Sequence, residues 1–262
     1  MLAERTPVSA SPEWDQKEMP FTEHLRELRN RLMVSVITVT VLAVGLFWPA
    51  PAVILWLKNE YLGKNIALHA FSPTDVIFTE FKFALYGAIV LGLPVLLYQV
   101  WMFIVPAFHP STRKIVYAYI APSVVLAAGG ILFCHFFIIH RVLTALVGIT
   151  NQIADETFGV EPTLNIILLT FLAFALVFQT PVVMVALARI GIVNTKLLRT
   201  YRRYALMGIL LLGGLAAPDA SPVTMLLIAV PMYVLYEASI WIIVLLEPTW
   251  KRSLRGMKIE DE

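Results

Sequence analysis

Glu27 is crowded by cations. Residues Pro20–Leu32, PFTEHLRELRNRL, set Arg26, Arg29 and Arg31 around it. At helical spacing Glu27 and Arg31 form an i,i+4 pair, an arrangement that ordinarily contributes ~0.2–0.5 kcal/mol. The remaining polar groups of interest fall in or beside long apolar runs: Glu80, Lys82, Gln99, Gln179 next to Pro181, Asp219 and Glu237. An ionisable group at membrane depth is costly, so it is expected to face a helix bundle, a wet cavity or a partner. Glu80 and Lys82 read as interfacial snorkellers. Gln99 and Gln179 read as interhelical hydrogen-bond donors. Glu237 has no such ready reading unless it reaches an interface near Trp241 and Trp250.

Other chemistry finds little support. The five histidines, His24, His69, His109, His135 and His140, lack metal-ligand spacing. His135 and His140 stand five apart, which points them to different sides of an α-helix, and Cys134 faces a third direction. The single cysteine cannot form an internal disulfide. No GxSxG, HExxH or Walker-type glycine loop occurs. Neither an enzyme nor a bound cofactor or metal is expected, and nothing in the charge pattern points to nucleic acid.

The elements that carry these residues are membrane helices. Of 262 residues, 59% are hydrophobic and 15% charged, and the mean hydropathy is +0.78. Soluble domains carry about 25% charge. Six apolar runs stand out: Leu32–Trp48, Phe83–Phe108, Ile115–Ile139, Leu164–Ala188, Tyr204–Ala217 and Val223–Leu246. A crossing needs about 20 apolar residues, so the fifth is short and the first is at the lower limit. Ahead of the first run, Phe21, Leu25, Leu28 and Leu32 form one stripe, which predicts an amphipathic helix lying at the membrane surface. Residues 1–19 show no h-region or cleavage site, so they read as a disordered tail and not as a secretory signal.

Charge asymmetry sets the expected topology. Lys and Arg gather in the N-terminal region, at Arg113 and Lys114, in Arg189–Arg203, and in the tail after residue 248. Loops 49–77 and 141–162 hold few cations. The positive-inside rule then predicts a multi-pass protein of the cytoplasmic membrane with both termini cytoplasmic. Because Arg189–Arg203 and the tail are both basic, an even number of crossings separates them, so the fifth and sixth runs both cross or together form a re-entrant pair. Pro94, Pro122, Pro181 and Pro231 lie within the runs and are expected to bend their helices, which favours a curved wall. No internal repeat is visible.

At this point HLRELRNRL before the first run, SPTDVIFTEFK at 72–82, LPVLLYQVWMFIVPAF at 93–108, and APDASP with IAVPMYVLYE at 217–237 resemble the TatC family, the multispanning receptor of the twin-arginine protein translocase. The resemblance covers about residues 20–246. It implies an all-α integral membrane protein whose six transmembrane helices form a curved, cup-like body with short fifth and sixth helices. It further implies recognition of the Arg-Arg pair in signal peptides of folded precursors, export driven by the proton-motive force, and an oligomeric complex with single-span TatA/TatB-type subunits.

Residue by residue, the family's recognition glutamate falls on Glu27, with basic neighbours at Arg29 and Arg31. A second family glutamate precedes a basic pair in the first cytoplasmic loop; here Thr112 stands in its place before Arg113 and Lys114. The match also puts Phe103 on the inner-leaflet part of the signal groove. The residue before the fourth-helix proline is Gln179, ahead of Pro181, and the last outer turn keeps Asp219, while Val223 occupies a position usually held by glutamine. A carboxylate accepts the planar guanidinium fork of arginine in bidentate fashion, which lysine cannot offer. The rival reading is a small ion- or proton-coupled transporter using Glu237 and Asp219.

Overall fold

The computed structural model describes residues 21–63, 68–104, 119–150, 158–189, 191–216 and 222–260. It is built almost wholly of helices. Helix α1 is Phe21–Phe47, α2 is Ala50–Tyr61, α3 is Asp75–Ile104, and α4 is Ile120–Phe133. A π-helical turn, Cys134–Ile138, joins α4 to α5, Ile139–Thr150. Then follow α6 (Val160–Val177), α7 (Thr180–Arg189), α8 (Thr195–Thr200), α9 (Arg202–Ala216) and α10 (Pro222–Glu260). Two short strands, β1 (Leu68–His69) and β2 (Phe158–Gly159), pair in parallel. That pairing puts the α2–α3 and α5–α6 connections on one face of the molecule.

Five helical stretches are long and apolar enough to cross a bilayer: Leu25–Phe47, Asp75–Phe103, Ile120–Thr144, Val160–Arg189 and Pro222–Pro248. Helix α9, at 15 residues, rises only about 22 Å and falls short of a ~30 Å hydrocarbon core. Large apolar side chains lie exposed along the outside, among them Val44, Phe81, Phe136 and Leu215, as expected where lipid is the solvent.

Packing groups α3, α4 and α6 against one another. Helix α1 lies mainly on α3; α3 meets α4 and α6; α7 packs on α10, and α10 on α9. Helices α1 and α3 run antiparallel and close together: a Cβ on Gly87 would lie 3.0 Å from Leu46 Cδ1, and one on Gly92 would lie 3.5 Å from Leu42 Cδ1. The α4–α6 contact is closer still, because a Cβ on Gly130 would sit 2.7 Å from the Phe174 carbonyl oxygen. One core gathers Leu57, Tyr61, Ile138, Val142, Ile167 and Phe174. A second joins Leu198, Ile209, Tyr236, Ile240 and Ile243.

Several expectations are corrected. The surface helix and the first span are one uninterrupted helix, α1, because no proline or glycine separates Phe21 from Leu32. Loop 49–77 contains a full helix, α2, started by Pro51 in its first turn. The last helix is not short: α10 runs 39 residues, past Pro248 and into the basic tail, where Leu, Arg, Met, Lys and Glu favour helix. Pro94 and Pro231 are interior prolines. Pro122 instead sits in the first turn of α4, where its missing N–H has no helical partner to lose. Pro181 opens α7, after a break at Phe178–Gln179 that splits the predicted fourth span into α6 and α7.

Candidate functional site

Arg31 closes on Glu27 one turn earlier in α1. Its Nε donates to Glu27 Oε1 at 3.0 Å, and its Nη2 donates to the same oxygen. The pair is therefore not a symmetric fork: Oε1 takes both donors. Oε2 is enclosed and accepts no hydrogen bond among the described residues, although 21% of the Glu27 side chain remains exposed. An enclosed carboxylate oxygen without a donor is unusual, since leaving such an acceptor unmatched costs about 1–3 kcal/mol.

The remaining nitrogen of Arg31 leaves α1. Nη1 donates to Gln99 Oε1 on α3 at 3.4 Å. Gln99 was expected to link helices as a donor; here it links them as an acceptor. With the two helices antiparallel, Glu27 lies about one turn, ~5 Å, beyond Arg31 in the direction that α3 takes from Gln99 to Phe103. Phe103, four residues after Gln99, shares its face of α3 and is half-buried. Glu27, Arg31, Gln99 and Phe103 thus gather at one end of the α1–α3 pair. Arg26 and Arg29 are exposed, so with Arg31 three arginines stand around Glu27 within two turns of α1. The sequence showed Gln99 as a polar residue at membrane depth, one helical turn before Phe103, but gave no sign of its partner 68 positions away.

The other expected site residues are scattered. Thr112 and Arg113 lie outside the described residues, as does Asp219. Gln179 is 4% exposed; its Nε2 donates to the Ser123 carbonyl at 3.1 Å, tying the α6–α7 break to the first turn of α4. Neighbouring Pro181 is buried. Glu237 accepts from Arg202 Nη2 at 2.7 Å and from the Tyr233 hydroxyl at 3.1 Å. Arg202 opens α9, so Glu237, well inside α10, is paired with the first residue of the neighbouring helix and is not an isolated carboxylate.

Two readings of the opposite face change. Lys82 is no lone snorkeller but pairs with Glu161 of α6. His135 and His140 do not point apart: both set their rings edge-on to Tyr61, at 5.7 and 5.4 Å between centroids. The π-helical turn is the cause. Ile139 N–H donates to the Cys134 carbonyl five residues back, and that wider turn aligns positions i and i+5. Tyr61 and His135 also share a hydrogen bond, and burial pushes the Tyr61 phenol well above its ordinary range, so the hydroxyl keeps its proton.

Known proteins match this chain over most of its length. The family described as "Sec-independent protein translocase protein (TatC)" matches residues 23–231. The protein of that description from Halalkalibacterium halodurans is 31% identical over 230 residues, covering 87% of this chain and 90% of the relative. The Aquifex aeolicus protein is 32% identical over 228 residues, covering 86% and 94%. A solved structure titled "Crystal Structure of Twin Arginine Translocase Receptor- TatC in DDM" aligns with a TM-score of 0.75 at 31% identity, covering 84% of this chain and 99% of that one.

Proposed function

The chain belongs to the TatC family, and from that premise we propose that it is the twin-arginine signal-peptide receptor and core subunit of a translocase that exports folded proteins. The observation that carries this reading is Glu27: a carboxylate among arginines, with one oxygen satisfied by Arg31 and the other enclosed without a donor. An incoming guanidinium would complete Oε2, and Arg31, held by Gln99, would keep the carboxylate aimed. Phe103 would flank the apolar part of the signal. Thr112 and Arg113 belong to the same proposed site, with Thr112 offering a neutral acceptor roughly half as strong as a carboxylate.

The membrane placement follows the positive-inside rule. Both termini and residues 107–114 are cytoplasmic, α9 completes six crossings, and the bilayer thins around it. The work of transport comes from the proton-motive force, with TatA/TatB-type single-span subunits in an oligomeric complex. In this reading Gln179, Pro181, Asp219 and Glu237 serve partner contact or translocation. The rival ion-transporter reading loses ground because Glu237 is neutralised by Arg202.

Complementation tests the proposal. Expressed with cognate single-span subunits in cells lacking their own receptor, the chain restores export of an Arg-Arg cargo and not of its Lys-Lys counterpart. Ion uptake by the purified chain alone in liposomes, without such export, would establish the rival.

A further inference from the structure

The basic connection between α7 and α9 carries a feature that signal recognition does not use. Helix α8 is fixed at both levels of structure. Asn194 caps it, its Oδ1 accepting from Leu197 N–H at 2.8 Å. Leu198 is buried in the second core, and its carbonyl accepts from the Tyr236 hydroxyl at 2.9 Å. This pinning leaves Lys196, Arg199 and Thr200 exposed on the outer side, at helical i, i+3 and i+4 positions that share one face. With Thr195 and Glu247 they line an open surface depression of about 460 Å³.

The charges are uneven. Glu247 is the one acid in the lining, and it accepts from the Thr195 hydroxyl at 2.6 Å. Neither Lys196 nor Arg199 has a side-chain ion pair or hydrogen bond among the described residues. Two cations without a side-chain partner among the described residues therefore face the depression, a donor set suited to a phosphate, while the Thr200 hydroxyl donates to the Lys196 carbonyl at 2.9 Å. Immediately around it Ile192, Leu197 and Tyr201 are 52%, 44% and 52% exposed. Because α7 ends and α9 begins here, α8 lies where spans meet the bilayer interface. Exposed aliphatic and tyrosine side chains there belong among headgroups and upper acyl chains.

We propose that Lys196 and Arg199 bind the phosphate of an anionic phospholipid headgroup, with Leu197 and Ile192 resting against its acyl chains. Charge complementarity favours an anionic over a zwitterionic lipid, and the apolar rim favours a lipid over free phosphate. The site is separate from Glu27 and stands whether or not the signal-receptor reading does.

The test uses the full chain in phosphatidylcholine nanodiscs containing a photoactivatable phosphatidylglycerol, with a phosphatidylcholine probe as comparator. The glycerol probe is expected to label residues 192–204 strongly and the choline probe weakly. Lys196→Gln/Arg199→Gln is expected to reduce that label roughly ten-fold or more, since each interfacial cation attracts anionic lipid substantially, while excess inorganic phosphate leaves it in place. Equal labelling by the two probes, which requires no variant, overturns the proposal. So does undiminished labelling in the double variant, or displacement by inorganic phosphate, which would make this a free-anion site.

Discussion

Arg31 gives two donors to a single oxygen of Glu27 and reaches across to Gln99 with a third nitrogen. An isolated i,i+4 pair on an exposed helix contributes a few tenths of a kcal/mol. Here the pair is half-buried between two helices, and its value lies in orientation: the carboxylate is held with Oε2 turned away from its resident partner.

Gln99→Ala tests that positioning. The variant should accumulate and insert as the parent does, since Gln99 contributes one long hydrogen bond. Losing a neutral–charged hydrogen bond of ~1 kcal/mol should weaken twin-arginine peptide binding about two- to ten-fold. Fluorescence anisotropy on nanodisc-embedded protein reads this directly. A loss as complete as that from removing Glu27 would mean that Gln99 itself contacts the signal.

Gly130 and Gly45 predict opposite outcomes for one chemical change. A methyl at Gly130 meets a backbone carbonyl at 2.7 Å, whereas a methyl at Gly45 meets nothing within 4 Å. Gly130→Ala should separate α4 from α6 and cost about 1–3 kcal/mol; Gly45→Ala should be neutral or slightly stabilising through helix propensity. Thermal unfolding in detergent followed by loss of monodispersity compares them. Equal melting of the two variants would contradict the close α4–α6 approach.

Tyr61→Phe should keep the ring contacts with His135 and His140 and lose only the hydroxyl bond, so α2 stays docked. Tyr61→Leu removes both and should expose α2 to proteolysis on its own face of the membrane. Limited digestion of intact vesicles distinguishes the two, and identical cleavage of both variants would locate the anchor of α2 elsewhere.

Much of this architecture is legible in the sequence. Apolar run lengths located the long helices, and the small charged fraction identified the solvent as lipid. Features set by backbone detail were not legible. The π-helical turn at Cys134–Ile138 has no sequence signature, so His135 and His140 read as divergent when one tyrosine receives both. Proline positions were visible but their register was not: Pro122 and Pro181 fall in the first turns of helices and not in helix interiors. Helix α2 was hidden because its AVILWL core is too short for a span and sits in what read as a loop. At the site, Glu27 and Arg31 were local in sequence and so predictable, while Arg31 with Gln99 depends on the α1–α3 packing.

Glu27 carries the central claim, and signal-peptide photocrosslinking in Glu27→Gln membranes tests it most directly. The substitution keeps size and removes the charge, leaving the incoming arginines beside Arg26, Arg29 and Arg31. Parent membranes should crosslink an Arg-Arg signal peptide at positions 23–31, and Glu27→Gln membranes, with the protein inserted at parental levels, should not. Undiminished crosslinking to Glu27→Gln would show that the arginines are read elsewhere and would contradict the account.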